Sequence, residues 1–235
     1  MNNHYINKNK TADIYITAVF ILAEAILYMI FMWIDWTSEI DTTYYKFISI
    51  CLCLSFAIYS AFSLQAEGIF TLIALAFTVA SDLFMLVLDK HYTLAVCLFI
   101  PVQLLYWLRI RISTKKPCYM SIIARFCMIL AILIALYAMD GLELLTAMTA
   151  IYFSMLLCNA IESCFYAKSL DKLLFCIGLW LFVLCDVCVG LFNIGDVLGV
   201  SLSPEFFYTV SVLMWGFYLP SQVLIVTSLK GKNKE

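Results

Sequence analysis

An all-helical bundle of eight membrane-spanning segments is the fold this sequence predicts. Composition, eight successive apolar runs and a one-sided distribution of Lys and Arg predict it. Of 235 residues, 65% are hydrophobic and 13% charged, with a mean hydropathy of +0.99. A soluble domain carries about 45–50% apolar and about 25% charged residues. No soluble core hides this much apolar surface, so the solvent must be largely lipid. That excludes a secreted or cytosolic globule, and a net charge of -2 offers no surface for nucleic acid.

A crossing helix needs about 20 mostly apolar residues. The first run, 14–34, follows a polar stretch, 1–13, and has no small-residue cleavage site behind it, so it reads as a retained helix. Run 43–63 is entered through Tyr44-Tyr45-Lys46, and run 68–88 carries Asp82. Run 92–111 contains Pro101 and closes on Arg109 and Arg111; run 119–138 carries Arg125 near its start. Run 142–165 ends beside Glu162, run 172–193 carries Asp186, and run 205–228 contains Pro220. The short connections leave no room for a soluble domain. The predicted organisation is a polar tail 1–13, a transmembrane domain 14–228 and a basic tail 229–235.

Orientation follows from the positive charges in short loops. Lys8, Lys10, Arg109, Arg111, Lys115, Lys116, Lys168, Lys172, Lys230, Lys232 and Lys234 all fall on one side if there are eight spans. The other side has Lys46 and Lys90 among Asp35, Glu39, Asp41, Asp89, Asp140, Asp196 and Glu205. Both termini are therefore expected in the cytoplasm.

The two halves echo one another. Ala76 to Leu83 and Trp180 to Val187 are apolar stretches with one Asp after a small residue, Ser81-Asp82 and Cys185-Asp186. The helices that follow contain Phe99-Ile-Pro101-Val-Gln103 and Tyr218-Leu-Pro220-Ser-Gln222. Two parallel four-helix repeats would produce this pattern, and so would chance among short apolar matches.

Nine of the ten cysteines lie inside apolar runs, which suits packing as small hydrophobes. Cys185-x-x-Cys188 has half the spacing of a metal site, with no second pair and no nearby His. The two histidines, His4 and His91, lie in the tail and a loop, so a Ser–His or Cys–His dyad has little support. No phosphate-cradling glycine loop occurs. No cofactor or metal is expected.

A charge at the bilayer centre costs at least about 2.5–3.5 kcal/mol on insertion scales, which makes each intramembrane charge a candidate for function. Those charges are Glu24, Asp82, Glu162 and Asp186, with Lys46 and Arg125 near span ends. Asp82 and Asp186 are expected in the outer third of the membrane, Lys46 entering from that side. Glu24 is expected at the depth of Gln103, Tyr106 and Tyr218. Two carboxyl groups at one depth suit a division into proton donor and ionised partner. The alternative is scaffolding: each Asp hydrogen-bonds a neighbouring helix, or Asp82 pairs with Lys46. Glu162 is expected near the inner interface, beside Lys168, in a structural role.

With these residues in place the chain resembles the YhhN-like lysoplasmalogenase family over about 14–228. The resemblance rests on Lys46 early in helix 2, Ser81-Asp82 in helix 3, Gln103-Leu-Leu-Tyr106 in helix 4, Cys185-Asp186 in helix 7 and Tyr218 with Gln222 in helix 8. Ser81 stands where the family has Gly, Cys185 where it has Ser, Gln103 where it has His, and Phe47 where it often has Pro. The resemblance implies hydrolysis of the vinyl-ether bond of a lysoplasmalogen, a lysophospholipid drawn from the bilayer. The products would be a fatty aldehyde and glycerophospho-ethanolamine or -choline. It implies acid–base roles for Asp82 and Asp186, and a phosphate contact for Lys46. Glu24, Gln103, Tyr106, Tyr218 and Gln222 would complete the substrate site. A proton-coupled transporter or lipid-binding protein is the alternative reading, with a terpenoid cyclase third.

Overall fold

In the computed structural model, residues 2–38, 40–61, 66–114, 119–198 and 203–230 are described. Lys115, Lys116, Cys118, Glu39 and the tail beyond Lys230 lie outside them. The helices are α1 (Asn2–Thr37), α2 (Thr43–Ala61), α3 (Ala66–Asp82), α4 (Tyr92–Thr114), α5 (Tyr119–Ala138), α6 (Leu144–Cys164), α7 (Leu170–Leu198) and α8 (Pro204–Thr227). All eight are long and apolar enough to cross a membrane, so the chain is a multi-pass membrane protein. Two boundaries differ from the sequence reading. The stretch given to a polar tail continues α1 back to Asn2, and α7 runs on to Leu198. Hydropathy marks where lipid begins, whereas backbone hydrogen bonding carries a helix past that point.

Local chemistry explains the helix starts. Asp41 accepts the Thr43 backbone N–H at 2.8 Å ahead of α2. Hydrogen bonds from the Thr43 side chain and backbone hold the Asp41 carboxyl below the usual range. Its capping contribution is therefore present at neutral pH and lost only as pH falls through that lowered value. Ser203 caps α8 by accepting the Phe206 N–H at 3.3 Å, with Pro204 in the first turn, where its missing N–H has no helical partner to lose. Pro220, inside α8, deprives the Gly216 carbonyl of its helical donor. The Tyr28 hydroxyl donates to that carbonyl at 3.2 Å and ties α1 to the break.

Neighbouring helices close a ring in the order α2, α3, α4, α6, α7, α8 and back to α2, with α1 outside the α2–α8 side and α5 against α6. Cross-bundle contacts confirm the alternating direction of the helices. One end gathers Arg109, Arg111, Arg125, Glu162 and Asp171, and the other gathers Asp35, Lys46, Trp215 and Tyr208. These are called the basic and acidic ends below. Large apolar side chains face outward along the bundle, among them Ile14, Leu22, Ile123, Phe126 and Ile134. Exposed Trp33, Trp36 and Tyr44 toward the acidic end and Tyr119 and Phe165 toward the basic end suit the membrane–water boundaries.

The α7–α8 contact is the most extensive in the ring, and Gly178 permits a close approach within it. A Cβ there would lie 2.7 Å from the Ile225 Cγ1 and 3.0 Å from the Ser221 carbonyl oxygen. Gly190 on the same helix has nothing within 4 Å of its would-be Cβ. The two alanine substitutions should therefore differ in sign. Gly178→Ala should lose roughly 1–3 kcal/mol by overpacking, and Gly190→Ala should gain up to about 1 kcal/mol of helix propensity. Thermal unfolding of both variants in one detergent checks this; equal melting temperatures would mean α8 does not close on Gly178.

Candidate functional site

Inside the ring, two carboxyl groups face a box of aromatic rings. Asp82 ends α3 and is almost fully buried. Its Oδ2 accepts a hydrogen bond from the Tyr218 hydroxyl of α8 at 2.7 Å. Immediately beyond it the helix widens into a π turn over Leu83–Val87, in which the Leu88 N–H reaches the Leu83 carbonyl at 2.9 Å. Such turns change which face a helix presents and recur at functional sites. Asp186 of α7 has the Tyr152 hydroxyl of α6 within electrostatic reach. Its buried Oδ2 has no protein partner.

Phe182 sits between the two tyrosines, with ring centroids 5.6 Å from Tyr218 and 6.3 Å from Tyr152. Phe99 closes the box at 5.8 Å from Phe182 and 5.3 Å from Tyr152. Both carboxyls lie within electrostatic reach of Tyr152 and Cys185. The echo between the halves breaks here. Tyr218 precedes Pro220 by two residues and bonds Asp82, whereas Phe99, at the same offset from Pro101, has no hydroxyl to offer. Asp186 has the Tyr152 hydroxyl of α6 in electrostatic reach instead.

A second group carries uncharged polar atoms. Gln103, Tyr106 and Gln222 are fully buried, and the Gln103 Nε2, the Tyr106 hydroxyl and the Gln222 Oε1 have no protein partner. Buried polar atoms ordinarily find a hydrogen bond to protein or ordered water, so atoms lacking one mark places where water or a ligand binds. The orientation of Gln103 follows from a chain of contacts. Arg125 donates to the Asn159 Oδ1 at 2.5 Å, which leaves the Asn159 Nδ2 as the donor. That nitrogen reaches the Gln103 backbone carbonyl at 2.8 Å and its Oε1 at 3.1 Å. The amide nitrogen of Gln103 is left as a free donor in the interior.

Glu162 anchors this chain at the basic end by pairing with both Arg111 and Arg125, the latter at 2.5 Å. It does not sit with Lys168, as the sequence reading had it: two guanidiniums on adjacent helices outcompete a loop ammonium for a half-buried carboxylate. Arg109, also buried, donates to Thr71 at 2.9 Å and Ser228 at 2.8 Å and lies 4.0 Å from the Phe175 ring.

Glu24 stands apart. It accepts a hydrogen bond from Ser49 and another from the Cys53 thiol at 3.5 Å, in the α1–α2 packing. Its connection to the interior is indirect, through the electrostatic reach of Cys53 to Tyr106. Lys46 pairs with Asp35 at 2.8 Å and lies 4.8 Å from the Trp215 ring, at the acidic end. A recess of about 280 Å³ opens there, lined by Asp35, Lys46, Ser211 and Trp215 among others. Lys46 and Asp82 form no ion pair.

Four contributors escaped the sequence reading: Tyr152, Asn159, Asp35 and Ser49. Tyr152 and Asn159 lie seven residues apart on one face of α6. An asparagine within an apolar run is a signal that a search limited to charges passes over. Asp35 and Ser49 had no separate signal, because their importance comes from the partner they meet.

Asn159→Leu should leave the Arg125 Nη2 and the Gln103 Oε1 unpaired in the interior, at a cost of about 1–3 kcal/mol. Thermal unfolding in detergent should register it. A stability equal to wild type would mean that water replaces Asn159 without loss.

Comparison with family models, with curated proteins and with solved structures finds no match to this chain.

Proposed function

We propose that the protein is an intramembrane hydrolase, resembling lysoplasmalogenases, that cleaves the vinyl-ether bond of lysoplasmalogens. The observation that carries the proposal is the pair Asp82 and Asp186, presented by α3 and α7 into one aromatic interior, Asp82 held by the Tyr218 hydroxyl and Asp186 with Tyr152 in electrostatic reach. Vinyl-ether hydrolysis needs that combination. A carboxylic acid protonates the outer vinyl carbon, and the carbon–oxygen unit becomes an oxocarbenium ion. Water adds to that ion and loses a proton to a carboxylate, and the hemiacetal collapses to aldehyde and alcohol, so one water is consumed in all. An acid and a carboxylate divide this work much as they do in glycosidases. The aromatic faces of Phe99, Phe182, Tyr152 and Tyr218 suit a passing cation.

The unpartnered amide and hydroxyl of Gln103 and Tyr106, with the Gln222 carbonyl oxygen, offer donors and an acceptor for water or the glycerol oxygens. Lys46 in the acidic-end recess is the phosphate contact, reached by exchanging Asp35 for the lipid. In this reading both termini are cytoplasmic, and the substrate enters sideways from the bilayer with its tail between helices.

A proton-coupled transporter, or a lipid-binding protein without hydrolytic activity, is the second reading. The observation that favours it is the series of buried polar groups from the acidic to the basic end: Lys46 with Asp35, the two Asp, Gln103 with Tyr106, then Arg125 with Glu162. Aldehyde release from lysoplasmenylethanolamine by purified protein separates the two. Wild type should produce aldehyde, and Asp82→Asn and Asp186→Asn should each lose about 100-fold or more while melting like wild type. No aldehyde from folded wild type, with substrate taken up unchanged along a pH gradient in proteoliposomes, would establish the transporter instead.

A further inference from the structure

Cys164 and Cys176 are used neither by the interior site nor by the polar chain that supports it. Cys164 is the last residue of α6 and is exposed; Cys176 lies on α7 and is buried. Their sulfurs are 3.6 Å apart, in van der Waals contact, and the Trp180 indole N–H donates to the Cys164 sulfur at 3.0 Å. The remaining described cysteines lie elsewhere in the bundle: Cys51 and Cys53 on α2, Cys97 on α4, Cys127 on α5, Cys158 higher on α6, and Cys185 and Cys188 farther along α7. A disulfide needs sulfurs at about 2.05 Å, so closure asks the two sulfurs to approach by about 1.5 Å.

We propose that Cys164 and Cys176 form a reversible disulfide that staples α6 to α7 at the basic end, closed by exchange with a small-molecule disulfide. Cys164, the exposed residue of the pair, is the entry point. The Cys164 thiolate attacks one sulfur of the small disulfide, that S–S bond breaks, and one small thiolate leaves and takes a proton. The Cys176 thiolate then attacks the Cys164 sulfur of the mixed disulfide, and the second small thiolate leaves. The protein loses two protons and two electrons, which the small disulfide takes up to become two thiols. A buried resolving thiol in contact with an exposed entry thiol is the arrangement that favours closure over a standing adduct.

The consequence is architectural. The helices stapled are the two that supply Tyr152 and Asp186, which meet farther along the same antiparallel pair. The bond would close the connection holding Tyr166, Asp171 and Lys172, which border a small recess beside Arg109. Oxidation would then limit how far α6 and α7 separate, whatever passes between them. This inference does not depend on the hydrolase reading.

Glutathione disulfide is the probe. Reduced, purified protein is incubated with it and quenched with a maleimide, then read by intact mass and peptide mapping. Wild type should lose two reactive thiols without gaining glutathione, and the map should join the peptides holding Cys164 and Cys176. Reductant should restore both thiols. Cys176→Ser should retain one glutathione on Cys164, and Cys164→Ser should leave Cys176 unmodified. Wild type that keeps both thiols, holds a standing adduct at Cys164, or joins either cysteine to another position would overturn the proposal. The wild-type map alone decides the pairing if either variant fails to fold.

Discussion

Hydrocarbon supplies no hydrogen-bond partner, and that constraint places every polar side chain in this bundle. Glu24, Asp82, Gln103, Arg109, Arg125 and Asn159 are all buried, and each turns toward another helix instead of lipid. In water a polar residue left outside costs little; in a bilayer an unsatisfied group costs several kcal/mol. Helix rotation is therefore set largely by the polar residues. The apolar ones, equally content against lipid or protein, distinguish poorly between faces.

Satisfaction is uneven along the membrane, and even in the basic-end network the Arg111 and Arg125 Nε atoms have no protein partner. Toward the basic end the network is dense: Arg111 and Arg125 share Glu162, Arg125 reaches Asn159, and Arg109 is held by Thr71 and Ser228. Farther in, the Gln103 amide nitrogen, the Tyr106 hydroxyl, the Gln222 carbonyl oxygen and one Asp186 oxygen have no protein partner. The dense region fixes orientations, most clearly that of Gln103 through Asn159. The open atoms are where a bound molecule or water would be held. Gln103, which cannot titrate, presents an oriented amide donor that no protein group accepts.

The residues that precede the two aspartates have clear packing roles. Ser81, beside Asp82, donates to the Ala95 carbonyl at 2.7 Å and so locks α3 to α4 next to the carboxyl. Cys185, beside Asp186, is buried in the core shared with Phe182 and Tyr218. Each makes a contact with the surrounding bundle next to an Asp. The asymmetry between Tyr218 and Phe99 has a larger effect. It gives the two acids different surroundings, Asp82 bonded across the ring to α8 and Asp186 with Tyr152 of the neighbouring α6 in reach.

The sequence by itself determined the number of crossings, their approximate ends and the short roll of residues that lipid would not accept. Hydropathy and the cost of a buried charge are local properties, readable one residue at a time. It also singled out Asp82, Asp186, Gln103, Tyr106, Tyr218 and Gln222, all of which face the interior. Only the tertiary structure decided the partners. Tyr218 meets Asp82 across 136 residues of chain, Tyr152 meets Asp186, and Glu24 turns to Ser49 and Cys53 instead of the interior it was expected to share. Those choices depend on which helices are neighbours and on the rotation of each about its axis. Both emerge from packing the whole ring, where close approaches such as Gly178 against Ile225 decide how the helices sit.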